Sequence, residues 1–390
     1  MTDFALRRLQ LAVFGLVTAC FTNIYITQPV LPVLQEEFQA TSVTVSFTIS
    51  AVILGIALAN LPFGVLADRL PIRPIILTGA GAILTGAIIC IFTYQLWLLI
   101  AARFLQGLFA PALTTCLAAY LAKSLPAERL NVVMGYYVSA TVVGGMGGRL
   151  LGGWVHPPLH WRYAFVSASV FLVLAALFAF WNLPRTPLRK QQQDTVSFRQ
   201  LLRRPELLSL FLCAAGGFGL FSSLFNFLPF RLSEPAFDLP TEQITLVYLV
   251  YVMGVFMGPL AGRVSNRFGG GVTLLLGTTV LGLALLCLLI PAVWAVVLGL
   301  LLVCGGFFTV HAGAVGAINR KLDSGQGRAN ALYVLFYYVG GWLGITVAGF
   351  AYNHWGWSAV VTLGGLLLLP LVNAGFSERR QSGTRQSGTH

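Results

Sequence analysis

The sequence predicts an all-α membrane protein: twelve transmembrane helices in two pseudo-symmetric six-helix bundles. Three observations lead there. Of 390 residues, 57% are hydrophobic and 9% are charged, where a soluble protein carries roughly 25% charged residues. Apolar runs recur along the whole chain, each close to the roughly 20 residues that span a bilayer core. A short polar motif also repeats at matching places in the two halves. With 24 basic and 12 acidic side chains the surface cannot be solvated. A soluble enzyme, a fibre and a disordered chain are thereby excluded.

In the first half the runs cover residues 10–33, 43–66, 74–93, 96–120, 131–155 and 163–183. In the second they cover 208–230, 243–262, 272–291, 293–317, 330–352 and 357–376. Lipid offers the backbone no hydrogen bonds, so these runs must be helices. None alternates at a period of two, as barrel strands would. The first is too long, and lacks a small-residue cleavage site, for a removable signal peptide. The bundles are thus residues 1–183 and 208–377. Between them, 184–207 is hydrophilic, carries six basic residues and reads as a cytoplasmic linker with room for one surface helix. Residues 378–390 repeat Gln-Ser-Gly-Thr and read as a disordered tail.

Orientation follows from the cations. Twenty of the 24 Lys and Arg fall on the side that also holds both termini, which makes that side cytoplasmic. Trp97, Trp154, Trp161, Trp294, Trp355 and Trp357 collect at the opposite helix ends, as an interfacial belt does. The net charge of +12 is therefore topological, and no basic groove element for nucleic acid is present. The six cysteines lie in apolar stretches without metal-ligand spacing and read as small buried hydrophobes. No metal site or cofactor is expected. No phosphate-binding Gly-x-x-x-x-Gly-Lys loop marks an ATPase.

The halves repeat each other. Gly64-Val-Leu-Ala-Asp68-Arg69 follows the second helix, and Gly262-Arg-Val-Ser-Asn266-Arg267 follows the eighth. Repeated bundles joined by a linker suit alternating access around a midplane site.

These residues carry a resemblance to the major facilitator superfamily over essentially the full chain. The loop from Gly64 through Asp68, Arg69, Pro71 and Arg73 is similar to the family's Gly-x-Leu-Ala-Asp-Arg-x-Gly-Arg-Arg-Pro, with Pro71 and Ile72 as departures. Arg103-x-x-Gln106-Gly107 matches Arg-x-x-Gln-Gly in helix four. Gly144-Gly145-x-x-Gly148-Arg149 in helix five resembles the antiporter motif, with Gly145 for its proline and Arg149 for its last glycine. With Asn23, Tyr25 and Gln28 in helix one and His311 in helix ten, the chain resembles bacterial arabinose-efflux-like and drug-efflux-like exporters.

The resemblance implies a cavity lined by helices one, four, seven and ten. It offers Asn23, Gln28, Arg103, Gln106, Ser222, Asn226, His311 and Tyr337 to a substrate, with Tyr248, Tyr251 and Tyr338 as further aromatic walls. It implies a cytoplasmic gate of Asp68, Arg69, Arg73, Asn266 and Arg267. There the Asp68 carboxylate would meet the N-terminal end of helix eleven, worth about 0.3–1 kcal/mol. The alternative is that Arg69 and Arg73 only fix orientation. Small residues every four positions (Gly144, Gly148 and Gly152; Gly254, Gly258 and Gly262; Ala51, Gly55 and Ala59; Gly340, Gly344 and Ala348) permit close helix approach. The superfamily pairs helix five with eight and two with eleven. Packing within each half is the other reading.

An Arg inside a membrane helix costs about 2.5–3.5 kcal/mol and marks a cavity or a partner. Arg103, about 12 Å from the outer face at 1.5 Å per residue, is placed in the substrate site, and Arg149 nearer the outer end. No Asp or Glu lies deep in a helix, so His311, the one deep group that titrates near neutrality, is the candidate proton carrier. Asp68, or Glu36 and Glu37, are the fallbacks. The expected activity is proton-coupled efflux of a small amphiphilic or anionic molecule by a monomer in the inner membrane. A symporter or facilitated importer is the alternative. A receptor without flux would need larger loops, and a membrane enzyme a catalytic set that the sequence lacks.

Overall fold

The computed structural model describes residues 3–125, 127–183, 196–322 and 324–387, and every regular element among them is helical. In chain order these are α1 (Asp3–Tyr25), α2 (Leu31–Glu37), α3 (Ser42–Arg69), α4 (Ile72–Phe92), α5 (Leu96–Leu113), α6 (Thr115–Ser124), α7 (Ala127–Val155) and α8 (Arg162–Asn182). They continue as α9 (Phe198–Leu202), α10 (Pro205–Ser233), α11 (Thr241–Val247), α12 (Met253–Phe268), α13 (Gly270–Leu288), α14 (Val293–Arg320), α15 (Gln326–Leu367) and α16 (Leu369–Ser387).

Twelve spans emerge once the breaks are read physically. The first span breaks after Tyr25 and resumes through a 3-10 turn, Gln28–Val30, into α2. Pro29 within that turn and Pro32 just after it remove two backbone donors. Pro111 weakens the fourth span just before it kinks at Thr114 (φ −117°, ψ −75°), between α5 and α6. The eighth span passes from α11 through a 3-10 turn, Tyr248–Val252, into α12. Gly356, at φ +68°, supplies the left-handed conformation that divides α15 into the eleventh span and the start of the twelfth.

The chain forms two units, Met1–Gln192 with Leu239–Leu249, and Gln193–Asp238 with Val250–His390. The outer part of the eighth span thus groups with the first unit. Its Thr245 lies so close to Gly153 of α7 that a Cβ at Gly153 would fall 1.7 Å from the threonine hydroxyl.

Two expectations change here. The tail from 378 was expected to be disordered, yet α16 runs to Ser387. Lys321 ties it down through an ion pair to Glu378 at 2.8 Å and a hydrogen bond to Gln381. The small-residue stripes meet neighbours inside their own unit at the positions that follow, while the fifth span also meets the eighth, as expected, at Gly153 and Thr245. A Cβ at Gly144, Gly148 or Gly152 would sit 2.5, 2.2 or 1.9 Å from the carbonyls of Thr18, Thr22 and Ile26 in the first span. Gly55 meets Phe104 and Gly107 of α5, Gly254 meets Phe308 of α14, and Gly340 and Gly344 meet Ala215 and Gly219 of α10. A smooth face tells that a close neighbour exists; it does not tell which one. The six cysteines are free, five of them buried. The segment 184–195, most of the expected linker, lies outside the described residues, while α9 supplies the short helix expected there.

Candidate functional site

The break in the first span leaves carbonyls without helical partners at a depth where no water replaces them. Arg103 supplies the donors. From α5 its Nη1 donates to Asn23 O at 2.7 Å and to Gln106 Oε1 at 2.6 Å, and its Nη2 donates to Ile24 O. Its Nε donates to Thr48 O of α3 at 3.0 Å, and the Phe165 ring lies 5.5 Å from the guanidinium. The side chain is 0% exposed. Gln106 is equally committed, with its Nε2 on Ile83 O at 3.1 Å. Arg103 and Gln106, expected at the substrate, form a staple across α1, α3, α4 and α5. A fork of five donors suits clustered carbonyls as well as it suits a ligand.

Arg149 serves the same break from α7. Its Nε donates to Gln28 Oε1 at 2.6 Å and its Nη1 to Gly145 O at 2.7 Å. Its guanidinium lies 3.9 Å from the Tyr25 ring and 5.6 Å from that of Tyr248. Gln28, expected at the substrate, is thereby occupied. Gly148 brings α7 against Thr22, and Gly145 lies beside Arg149 and Tyr25. Asn23 differs from its neighbours. Its Nδ2 donates to Ala19 O at 3.0 Å, but its buried Oδ1 has no partner among the described residues. A buried acceptor of this kind calls for a water or a ligand donor.

The residues expected at a cytoplasmic gate separate into different tasks. Asp68 is bound by Lys123 of α6. Arg73 donates through Nε to Leu183 O at 2.8 Å and lies over Phe180, so it caps α8. Arg69 and Arg267 are exposed, which suits orientation. The Asn266 side chain lies outside the described residues. In the second half Arg320 reaches Ser265 Oγ at 3.3 Å. Lys123–Asp68 and Arg320–Ser265 are each 55 residues apart in sequence: the repeat extends to a cation at the end of the fourth or tenth span reaching back to the second or eighth. Sequence spacing contained this signal.

The second unit builds a ring cluster. His311 of α14 shares a hydrogen bond with Tyr333 of α15 at 3.0 Å, and its ring lies 5.5 Å from Tyr337 and 6.0 Å from Phe307. Tyr337 stacks on Phe218 at 3.8 Å and 12°, and Phe307 on Phe221 at 4.1 Å. Tyr251 packs on Phe225 at 4.6 Å, and Tyr338 meets Tyr337 edge-on at 5.1 Å. His311, Tyr337, Tyr338 and Phe308 remain half-buried while the rings behind them are buried. Ser222 is spent within the unit, its Oγ donating to Phe218 O and reaching Gly341 O at 3.3 Å, and Asn226 is fully buried in α10. The sequence reading missed Phe218, Phe221, Phe307 and Tyr333, although Phe218, Phe221 and Phe225 share one helical face by spacing.

Outside the spans, Glu37 at the end of α2 accepts from Trp161 and from Arg162 Nη1 at 2.7 Å, with His160 Nε2 at 3.5 Å. Arg162 also donates to Thr93 O at 2.8 Å. This cluster holds the ends of α2, α4 and α8 together. Burial draws the His160 pKa below its ordinary value, with Glu37 opposing the shift.

A family model described as Major Facilitator Superfamily matches residues 13–320 and again 237–388. The chain belongs to the Major Facilitator Superfamily. This major facilitator protein is 31% identical over 380 residues to the inner membrane transport protein YnfM of Escherichia coli (strain K12), covering 94% of this chain and 88% of that one. It is 28% identical to a chloramphenicol resistance protein of Pseudomonas aeruginosa, covering 98% and 92%. Its fold is similar to the crystal structure of the human organic anion transporter MFSD10 (TETRAN), with TM-score 0.73 and 19% identity over 94% of this chain and 99% of that one. The protein is therefore a multi-pass membrane transporter of this superfamily, which is not a family of enzymes.

Proposed function

We propose that this transporter is a secondary-active exporter of a small amphiphilic or anionic organic molecule, working as a monomer by alternating access in exchange for protons. We place it in the inner (cytoplasmic) membrane with both termini cytoplasmic. The name of the Escherichia coli relative supports the location, and the cation distribution supports the orientation.

One observation carries the reading: His311, half-buried in the tenth span, is hydrogen-bonded to Tyr333 and set among Phe307 and Tyr337. Polar tips on apolar ring faces recognise an amphiphile, and the imidazole among them is the group proposed to take up and release the proton. Asn23, with its unpartnered Oδ1, is the group in the first unit that best suits a substrate donor. The chloramphenicol resistance relative makes chloramphenicol, an aromatic amphiphile, the first probe.

The test adds chloramphenicol, then a panel of dyes and organic acids, to solubilised protein in weak buffer and records proton release. The active compound should release protons from wild type and not from His311→Ala, while binding to the variant persists. Unchanged release from His311→Ala refutes the coupling role. Active compounds that are uniformly polar and uncharged refute the substrate class.

A further inference from the structure

The short helix α9 lies outside the spans, and its surface has a composition of its own. A capping box builds it: Ser197 Oγ accepts from Gln200 N at 3.2 Å while Ser197 N donates to Gln200 Oε1 at 2.8 Å. Leu201 is fully buried and anchors one side. The other side exposes Phe198 and Leu202, four residues apart, next to exposed Arg199 and Arg203, also four apart, with exposed Arg204 following. In residues 196–206 the only acid is Glu206. Three residues after α9 ends, Pro205 begins the seventh span. The helix is also held from behind. Arg328 Nη1 donates to Val196 O at 2.7 Å and its guanidinium lies 5.6 Å from the Phe198 ring. Gly325, at φ +81°, turns beneath Val196, where an added Cβ would sit 3.0 Å away.

We propose that this face binds anionic phospholipid: Phe198 and Leu202 enter the acyl boundary while Arg199, Arg203 and Arg204 engage headgroup phosphates. Apolar side chains beside arginines at the mouth of a span fit an interfacial anchor. Arginines near an anionic surface are drawn to it, and the guanidinium fork matches phosphate oxygens. Because Arg328 and Gly325 belong to the start of the eleventh span, bound lipid stiffens that start together with α9.

The test uses full-length protein with phosphatidylglycerol or phosphatidylcholine titrated into detergent, reading retained lipid by native mass spectrometry and stability by thermal melting. Wild type should retain phosphatidylglycerol at several-fold lower concentration than phosphatidylcholine and melt higher with it. The triple variant R199Q/R203Q/R204Q should lose that preference while melting like wild type in phosphatidylcholine. A triple variant that keeps the full preference overturns the proposal, as does a wild type with none. If the triple variant does not fold, salt decides on wild type: retention of phosphatidylglycerol must fall with ionic strength more steeply than that of phosphatidylcholine, and equal slopes overturn the proposal. Displacement by free phosphate at equal affinity also overturns it, since the apolar pair would then be idle.

Discussion

Replacing Arg103 by Met separates a staple from a substrate ligand. The substitution keeps the length and apolar stem but removes four hydrogen bonds, leaving the carbonyls of Asn23, Ile24 and Thr48 and the Gln106 Oε1 without their donor. Each buried acceptor left unmade costs about 1–3 kcal/mol. Relief from burying the guanidinium itself offsets several kcal/mol of that sum, so the net loss is about 3–5 kcal/mol. For a unit of this size that is a fall in melting temperature on the order of 10 °C. Arg103→Lys should fall between, because a compact ammonium cannot reach carbonyls on two helices at once. A thiol-reactive fluorogenic dye reads the melt directly: Cys20, Cys90, Cys213 and Cys304 are 0% exposed and become reactive only on unfolding. A variant that melts like wild type but fails to bind or transport would return Arg103 to the substrate site and refute the staple.

Two other outcomes follow from contacts within the first unit. Gly148→Ala places a methyl 2.2 Å from the Thr22 carbonyl, a backbone atom that cannot swing away, and should cost about 1–3 kcal/mol. Gly135→Ala in the same helix meets nothing within 4 Å and should gain up to about 1 kcal/mol, so equal melting of the two variants would contradict the packing described. His160, drawn below its ordinary pKa of 6.5 by burial, stays neutral in the fold at a pH where the unfolded chain takes up a proton. Its contribution is complete above 6.5 and is lost as pH falls through that value toward the folded pKa. The side chain is 45% exposed, so the effect is small. His160→Asn should flatten the acid side of the melting profile, and an unchanged slope would remove His160 from the account.

The spans were legible in the sequence because lipid leaves the backbone no choice but helix, and the repeat because Gly64–Arg69 and Gly262–Arg267 keep their spacing. Partners were harder to read. Arg103 in an apolar run announces that it needs acceptors, yet one sequence cannot distinguish a ligand from three carbonyls and an amide. Pro29 and Pro32 held the missing clue: a break there sheds carbonyls at the depth of the fourth span's arginine. The gate reading placed Asp68 against a helix end and overlooked Lys123, whose 55-residue spacing recurs in Arg320 and Ser265. Of the ring cluster, periodicity places Phe218, Phe221 and Phe225 on one face, but only the tertiary structure lays Phe307 and Tyr337 over them.

The broken first span explains why the first unit holds arginines in its interior. A continuous helix would have satisfied its own carbonyls. The turn at Tyr25–Val30 does not, and Arg103, Arg149 and the Gly144–Gly148–Gly152 face converge on it from two helices. These charges belong to backbone that cannot be hydrated, so substituting them should perturb folding before it perturbs affinity. In the second unit the polar tips of His311, Tyr337 and Tyr338 stay half-buried, on rings whose other faces are packed. Recognition and proton exchange need groups whose partners can change. On that physical ground the proposed substrate chemistry rests on the ring cluster; in the first unit, Asn23 is the polar side chain at the break that still has an acceptor to offer.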